Sequence, residues 1–142
     1  MKHLFLDTNV LIDFLANRKP FALDAAALFD YSLKRKVSLY VATVSYNNIY
    51  YILRQSCSHV ETIKILSELH EWTEAIDVTK DIIRKAIHAE FKDFEDAIQY
   101  FSAKSVPKID CIVTRDTKGF KKSTLPVMTP KESRMMIEST FL

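Results

Sequence analysis

The sequence predicts a three-layer α/β/α domain built on a central, mostly parallel sheet of four to five strands. Three observations lead there. Short apolar runs of strand length alternate with longer segments whose apolar residues recur at helical spacing. Strands separated by helices pair in parallel and are covered on both faces. The 142 residues are 48% hydrophobic and 27% charged, which suits one domain over 1–142 whose core needs neither disulfide nor structural metal. One glycine and four prolines leave no flexible linker, and no internal repeat is evident.

The elements follow in order. HLFLD (3–7) is a short apolar strand that ends in Asp-Thr-Asn, a group able to cap a helix. Val10, Leu11, Phe14 and Leu15 then mark a first helix, which stops before Pro20. Leu23, Ala26, Ala27, Phe29 and Leu33 mark a second, closed by the charged turn Lys34, Arg35, Lys36. VSLYVAT (37–43) reads as a strand with Thr43 as cap for the helix SYNNIYYILRQ. A helix over 59–70 carries Ile63, Ile65, Leu66 and Leu69 on its apolar side. EAIDVT (74–79) reads as a strand whose Thr79 caps KDIIRKAIHAE. DFEDAIQYFSAKS (93–105) is helical by the spacing of Phe94, Ala97, Ile98 and Phe101. After Pro107 come the strand IDCIVT, a loop around Gly119, an edge strand LPVMT and a last helix, with Pro130 in its tolerant first turn.

Bulk properties exclude more than they assign. A net charge of +2 is too small to argue for nucleic-acid binding without local clustering. Cys57 and Cys111 have no metal-ligand spacing, and Cys111 reads as a small core residue. The N-terminus reaches an aspartate too soon for a signal peptide, and no apolar stretch is long enough to span a membrane. The expectation is a reduced, cytoplasmic setting. There is no nucleophile elbow, no Cys–His motif and no phosphate-binding glycine loop. His3, His59, His70 and His88 are scattered and read as surface or structural.

What stands out is acid. Asp7 and Asp116 close two apolar strands, so both fall at the carboxyl edge of the sheet, where ligands of such folds bind. Asp93 and Asp96 are one turn apart at the start of a helix, a like-charge pair that needs a cation or the helix N-terminus to compensate it. Each acid has an ordinary alternative: Asp7 and Asp93 as helix caps, Asp116 as a turn residue before Gly119. Glu95 is read as pointing elsewhere, into solvent. Four carboxylates from three elements on one edge point instead to a site for one or two hard divalent cations, Mg²⁺ or Mn²⁺. Such a site does phosphodiester chemistry without a nucleophilic side chain.

These residues resemble the PIN domain, the ribonuclease fold shared by VapC-type toxins. FLDTNVLID matches the family's first motif, Asp96-Ala97 its third, and Thr114-Arg115-Asp116 its fourth. The order of elements matches over nearly the whole chain. The resemblance implies metal ligands at Asp7, Asp96 and Asp116 with Asp93 in support. One position departs. Where the family's second motif usually places a glutamate, the helix VSYNNIYYIL carries Asn48, beside Asn47. An amide oxygen can ligate or orient a metal-bound water but brings no charge, so metal affinity should fall, and Asp93 is the residue expected to compensate.

Arg115, Lys118, Lys121 and Lys122 follow the fourth motif and are either a solvated loop or contacts for RNA phosphates. Tyr46, Tyr50 and Tyr51 can stack bases, line an interface or pack the core. The resemblance implies a homodimer and, for a toxin, a small antitoxin whose C-terminal segment fills the acidic cleft; the lack of an appended domain suits a stand-alone toxin. The expected function is a metal-dependent endoribonuclease. Its rivals are a catalytically silent RNA- or protein-binding module, favoured by Asn48, and a structure-specific DNA nuclease.

Overall fold

The computed structural model describes residues 1–141. Five strands form one sheet: β1 (Lys2–Leu6), β2 (Val37–Ala42), β3 (Glu74–Ile76), β4 (Cys111–Val113) and β5 (Val127–Met128). Their order is β3-β2-β1-β4-β5, and every pairing is parallel. The sheet therefore has the five strands at the top of the expected range and no antiparallel member.

Among the described residues, seven α-helices cover it: α1 (Thr8–Leu15), α2 (Ala22–Leu33), α3 (Thr43–Leu53), α4 (His59–Trp72), α5 (Lys80–His88), α6 (Phe94–Lys104) and α7 (Pro130–Phe141). Leu4, Phe5 and Leu6 of β1 are all fully buried, as a central strand covered on both faces requires. Their alternation splits the core. Leu4 and Leu6 face a cluster with Leu11, Leu28, Ile49, Leu69 and Ile137, from α1, α2, α3, α4 and α7. Phe5 faces the opposite cluster with Tyr40, Ile112, Tyr100 and Ala103, the last two from α6. A smaller cluster of Ile82, Ala86, Ala97 and Ile98 fixes α5 against α6.

The topology decides where a ligand can bind. From β1 the chain moves outward through β2 to β3; it then crosses back and continues on the other side through β4 and β5. The reversal opens a crevice between the carboxyl ends of β1 and β4. Asp7 follows β1 directly, and Asp116 lies three residues beyond β4.

Local details depart from the sequence reading at two places. The strand expected over 74–79 is paired only at Glu74–Ile76, on the sheet edge. Thr43 is the first residue of α3 rather than its cap; its hydroxyl instead accepts from the Val78 amide at 3.2 Å, tying the chain after β3 to α3. Thr79 does cap α5, accepting from the Ile82 amide at 3.2 Å.

Candidate metal centre

Asp7 is held on all sides. As N-cap of α1, its Oδ1 accepts from the Thr8 amide at 2.8 Å, while Oδ2 accepts from the Thr114 hydroxyl at 2.8 Å and from Asn9 Nδ2 at 3.4 Å. Its own amide donates to the Val113 carbonyl at 3.0 Å, which stitches the end of β1 to the end of β4. Burial pushes its carboxyl up to about 6, against the hydrogen bonds from Thr114 and Thr8, and the charges of Glu95 and Asp116 add to the rise. The capping and metal-site readings of Asp7 are thus compatible: the cap fixes the carboxylate at the crevice.

Asp93 is the N-cap of α6, its Oδ1 accepting from the Asp96 amide at 2.9 Å. One oxygen of Asp93 is therefore committed to the helix end. Asp96, in the first turn, accepts no hydrogen bond from any described residue, and no cation pairs with it. Burial, and then the charges of Asp7, Asp93, Asp116 and Glu95, push its carboxyl up to about 7. Asp116 caps the short 3₁₀ turn Thr117–Phe120 through Oδ1, which accepts from the Gly119 amide at 3.2 Å. Its amide donates to the Thr114 hydroxyl at 3.0 Å, so Thr114 links Asp116 to Asp7.

Gly119 is the chain's one glycine, and it sits where two of these acids meet. A Cβ there would overlap Asp96 Oδ2 and stand 2.9 Å from Asp116 Oδ2. Two carboxylate oxygens from different elements thus converge on one point. The donor set is oxygen only, carries uncompensated negative charge and includes side chains with free oxygens, which is the chemistry a hard divalent cation takes. The acids ring the crevice rather than closing on it: among the described residues, no three His, Cys, Asp or Glu side chains already form a ligand cage.

The structure brings a further acid to the rim. Glu95 is exposed, in keeping with the solvated reading, and its Oε1 also accepts from Asn48 Nδ2 at 3.0 Å, across from α3 to α6. Asn48 thereby reaches the first turn of α6, and its amide oxygen accepts no hydrogen bond from any described residue. Behind the acids, the Thr8 and Ser45 hydroxyls are 2.7 Å apart, and Gln99 Nε2 donates to both at 3.0 Å. This buried hub joins α1, α3 and α6, of which α1 and α6 carry acids of the site at their N-termini.

A cleft of about 550 Å³ is lined by Asp93, Asp96 and Asp116 together with Lys92, Lys118, Lys121 and Lys122. Lys122 pairs with Glu90 at 3.2 Å. Arg115 is turned away from the cleft: its guanidinium forks onto the fully buried Asp13 and lies 4.0 Å from the Phe21 ring centroid. Of the tyrosines, Tyr46 packs against the core, Tyr50 pairs with His59 at 2.9 Å, and Tyr51 is exposed.

Acids at the carboxyl edge of a five-stranded parallel sheet line the crevice where α/β domains of this class bind their ligands. A PIN domain model matches residues 3–118, and the chain belongs to the PIN domain family. It is 27% identical over 138 residues to Ribonuclease VapC1 of Aquifex aeolicus (strain VF5), with 91% of each chain covered. Among solved structures it is similar in fold to VapBC-1 from nontypeable Haemophilus influenzae, with TM-score 0.66, 16% identity, and 91% of this chain and 98% of that one covered. It is similar also to Mycobacterium tuberculosis VapC20, described as a sarcin-ricin loop cleaving toxin, with TM-score 0.59, 17% identity, and 77% and 86% covered.

Proposed function

We propose that the chain is a Mg²⁺- or Mn²⁺-dependent endoribonuclease, the toxin of a type II toxin–antitoxin pair. The observation that carries this reading is the convergence of Asp96 and Asp116 oxygens at Gly119, beside an Asp7 carboxylate locked at the sheet edge. Membership of the PIN family, the VapC1 relative and the VapBC-type fold neighbours support it.

Asp7, Asp96 and Asp116, with Asp93 in support, would hold the cation. When bound, it lowers the pKa of a water and offsets the charge that builds on phosphate. The chain's own residues do the rest. Asp7 offers a rigid anchor, because both its oxygens are already oriented by hydrogen bonds. Asp96, without such bonds, is free to adjust. Lys118 and Lys121 line the same cleft as the acids and hold the phosphates that flank the scissile bond. Arg115 acts behind the cleft, not on phosphate, since Asp13 and Phe21 occupy its guanidinium.

The partners of this reading are an RNA substrate, a second copy of the chain and a small antitoxin that covers the cleft. Its setting is the cytoplasm; no described helix is long and apolar enough to cross a membrane. Purified protein should bind Mn²⁺ by calorimetry and cleave RNA only with the metal, while Asp96→Asn should do neither. A wild type that binds no Mn²⁺ and cuts no RNA would sink the proposal. A second reading, a silent RNA- or protein-binding module, draws on Asn48 alone; it wins if Mn²⁺ binds to Asn48→Glu and not to the wild type.

A further inference from the structure

We infer that Gln99 is a positioning residue of the acidic site, locking the helix that carries Asp96 to the residue that follows Asp7; this rests on the metal-dependent reading above. Gln99 is fully buried, one of the largest side chains shut away from water. Its Nε2 donates at 3.0 Å to the Thr8 hydroxyl, 91 residues distant in sequence, and at 3.0 Å to that of Ser45, 54 residues distant. The two hydroxyls are 2.7 Å apart, so α1, α3 and α6 meet in a closed triangle. Thr8 opens α1, and its amide donates to Asp7 Oδ1 at 2.8 Å. Gln99 follows Asp96 by one turn and shares its side of α6. One buried amide therefore links the residue that orients Asp7 to the helix turn that presents Asp96.

Stability alone explains little of this arrangement. Gln99 Oε1 is buried with no hydrogen-bond partner among the described residues, and an unpaired buried acceptor weakens a fold. A methionine would fill similar space without that loss. Ala97, Ile98, Tyr100 and Ala103 already bury α6 against the sheet and α5. Such apolar contacts are non-directional, whereas a hydrogen bond has a set length and angle. What the triangle adds is direction. Asp96 accepts no hydrogen bond from any described residue, so its distance from Asp7 depends on where α6 is held.

The test is Mn²⁺ binding by calorimetry, with melting temperatures of the metal-free protein measured alongside. Gln99→Met keeps the length of the side chain and loses its hydrogen bonds. It should melt within about 3 °C of wild type, or above it, and yet bind Mn²⁺ about tenfold more weakly. Thr8→Val, which keeps shape and loses the hydroxyl, should share that loss. The double variant should bind no worse than the weaker single variant, because both remove one link. In RNA cleavage at saturating Mn²⁺, Gln99→Met should lower kcat and leave KM unchanged, since the lysines of the cleft are untouched. Wild-type affinity in Gln99→Met, alongside loss of binding in Asp7→Asn, overturns the inference and leaves the metal centre standing. A Gln99→Met protein that melts more than about 3 °C below wild type, or fails to fold, overturns it too and reduces the triangle to ordinary packing. Additive losses in the double variant would break the link between Gln99 and Thr8. Wild-type protein that binds no Mn²⁺ removes the underlying reading and this inference with it.

Discussion

Gly119 lies against the Asp96 carboxylate so closely that no side chain fits between them. The contact atom is the tip of a movable aspartate rather than backbone, so Gly119→Ala is met by swinging Asp96 aside at little cost to folding. The carboxylate then leaves the point it shares with Asp116. Gly119→Ala should melt within about 3 °C of wild type, a change of no more than about 1 kcal/mol, and bind Mn²⁺ at least tenfold more weakly. Unchanged Mn²⁺ affinity would mean that the two carboxylates need not converge there.

Asp96 also sets a pH dependence. Its carboxyl, ordinarily near 3.8, is held at about 7 in the fold, and that of Asp7 at about 6. The folded protein therefore binds more protons than the unfolded chain between about pH 4 and 7, and metal-free stability falls as pH rises through that window. Metal competes with those protons, so Mn²⁺ affinity should climb from pH 5 to 7 and level off above. Asp96→Asn removes the repelling charge. Discounted for partial solvent screening, the metal-free variant should be about 1 kcal/mol more stable than wild type at pH 8 and no more stable at pH 4. Urea titrations at the two pH values check this, and equal stability at pH 8 would refute it.

How much of this was legible along the chain depends on how local each cause is. Asp7, Asp93 and Asp116 could be placed because a strand end, a helix cap and a turn announce themselves within a few residues. The sheet followed from the alternation of elements. Glu95 is solvent-exposed as its spacing suggests, but its bond to Asn48 was not legible, because helical spacing gives a direction about the axis of α6 and not what stands beside that axis on α3. Gly119 read as a loop residue, since close approach by Asp96 leaves no mark in the sequence. Thr43 had a cap's position, yet its partner Val78 is 35 residues away.

Arg115 shows the same limit, with a measurable consequence. In sequence it heads a basic stretch, but its partner Asp13 is 102 residues distant and fully buried. Arg18, the other cation near Asp13, stands 3.9 Å away. Arg115→Ala would leave a buried carboxylate nearly alone, at a cost of about 2–4 kcal/mol. A urea titration should show that loss. A variant as stable as wild type would mean that Arg18 or water compensates Asp13.

Lys118 and Lys121 should behave in the opposite way. They line the same cleft as the acids, with no carboxylate pairing either one among the described residues. Removing both should cost little stability, because exposed lysines contribute little to it. RNA binding should instead lose its salt sensitivity. Each phosphate contact to a single strand contributes roughly 0.7 to the slope of log affinity against log salt. The double variant Lys118→Ala/Lys121→Ala, made alongside Asp96→Asn so that RNA stays intact, should lower the slope by about 1.4 relative to Asp96→Asn alone. Fluorescence anisotropy across a salt series reads it directly. An unchanged slope would place the RNA backbone on another face of the protein, while Mn²⁺ binding in the lysine variant without Asp96→Asn should match wild type.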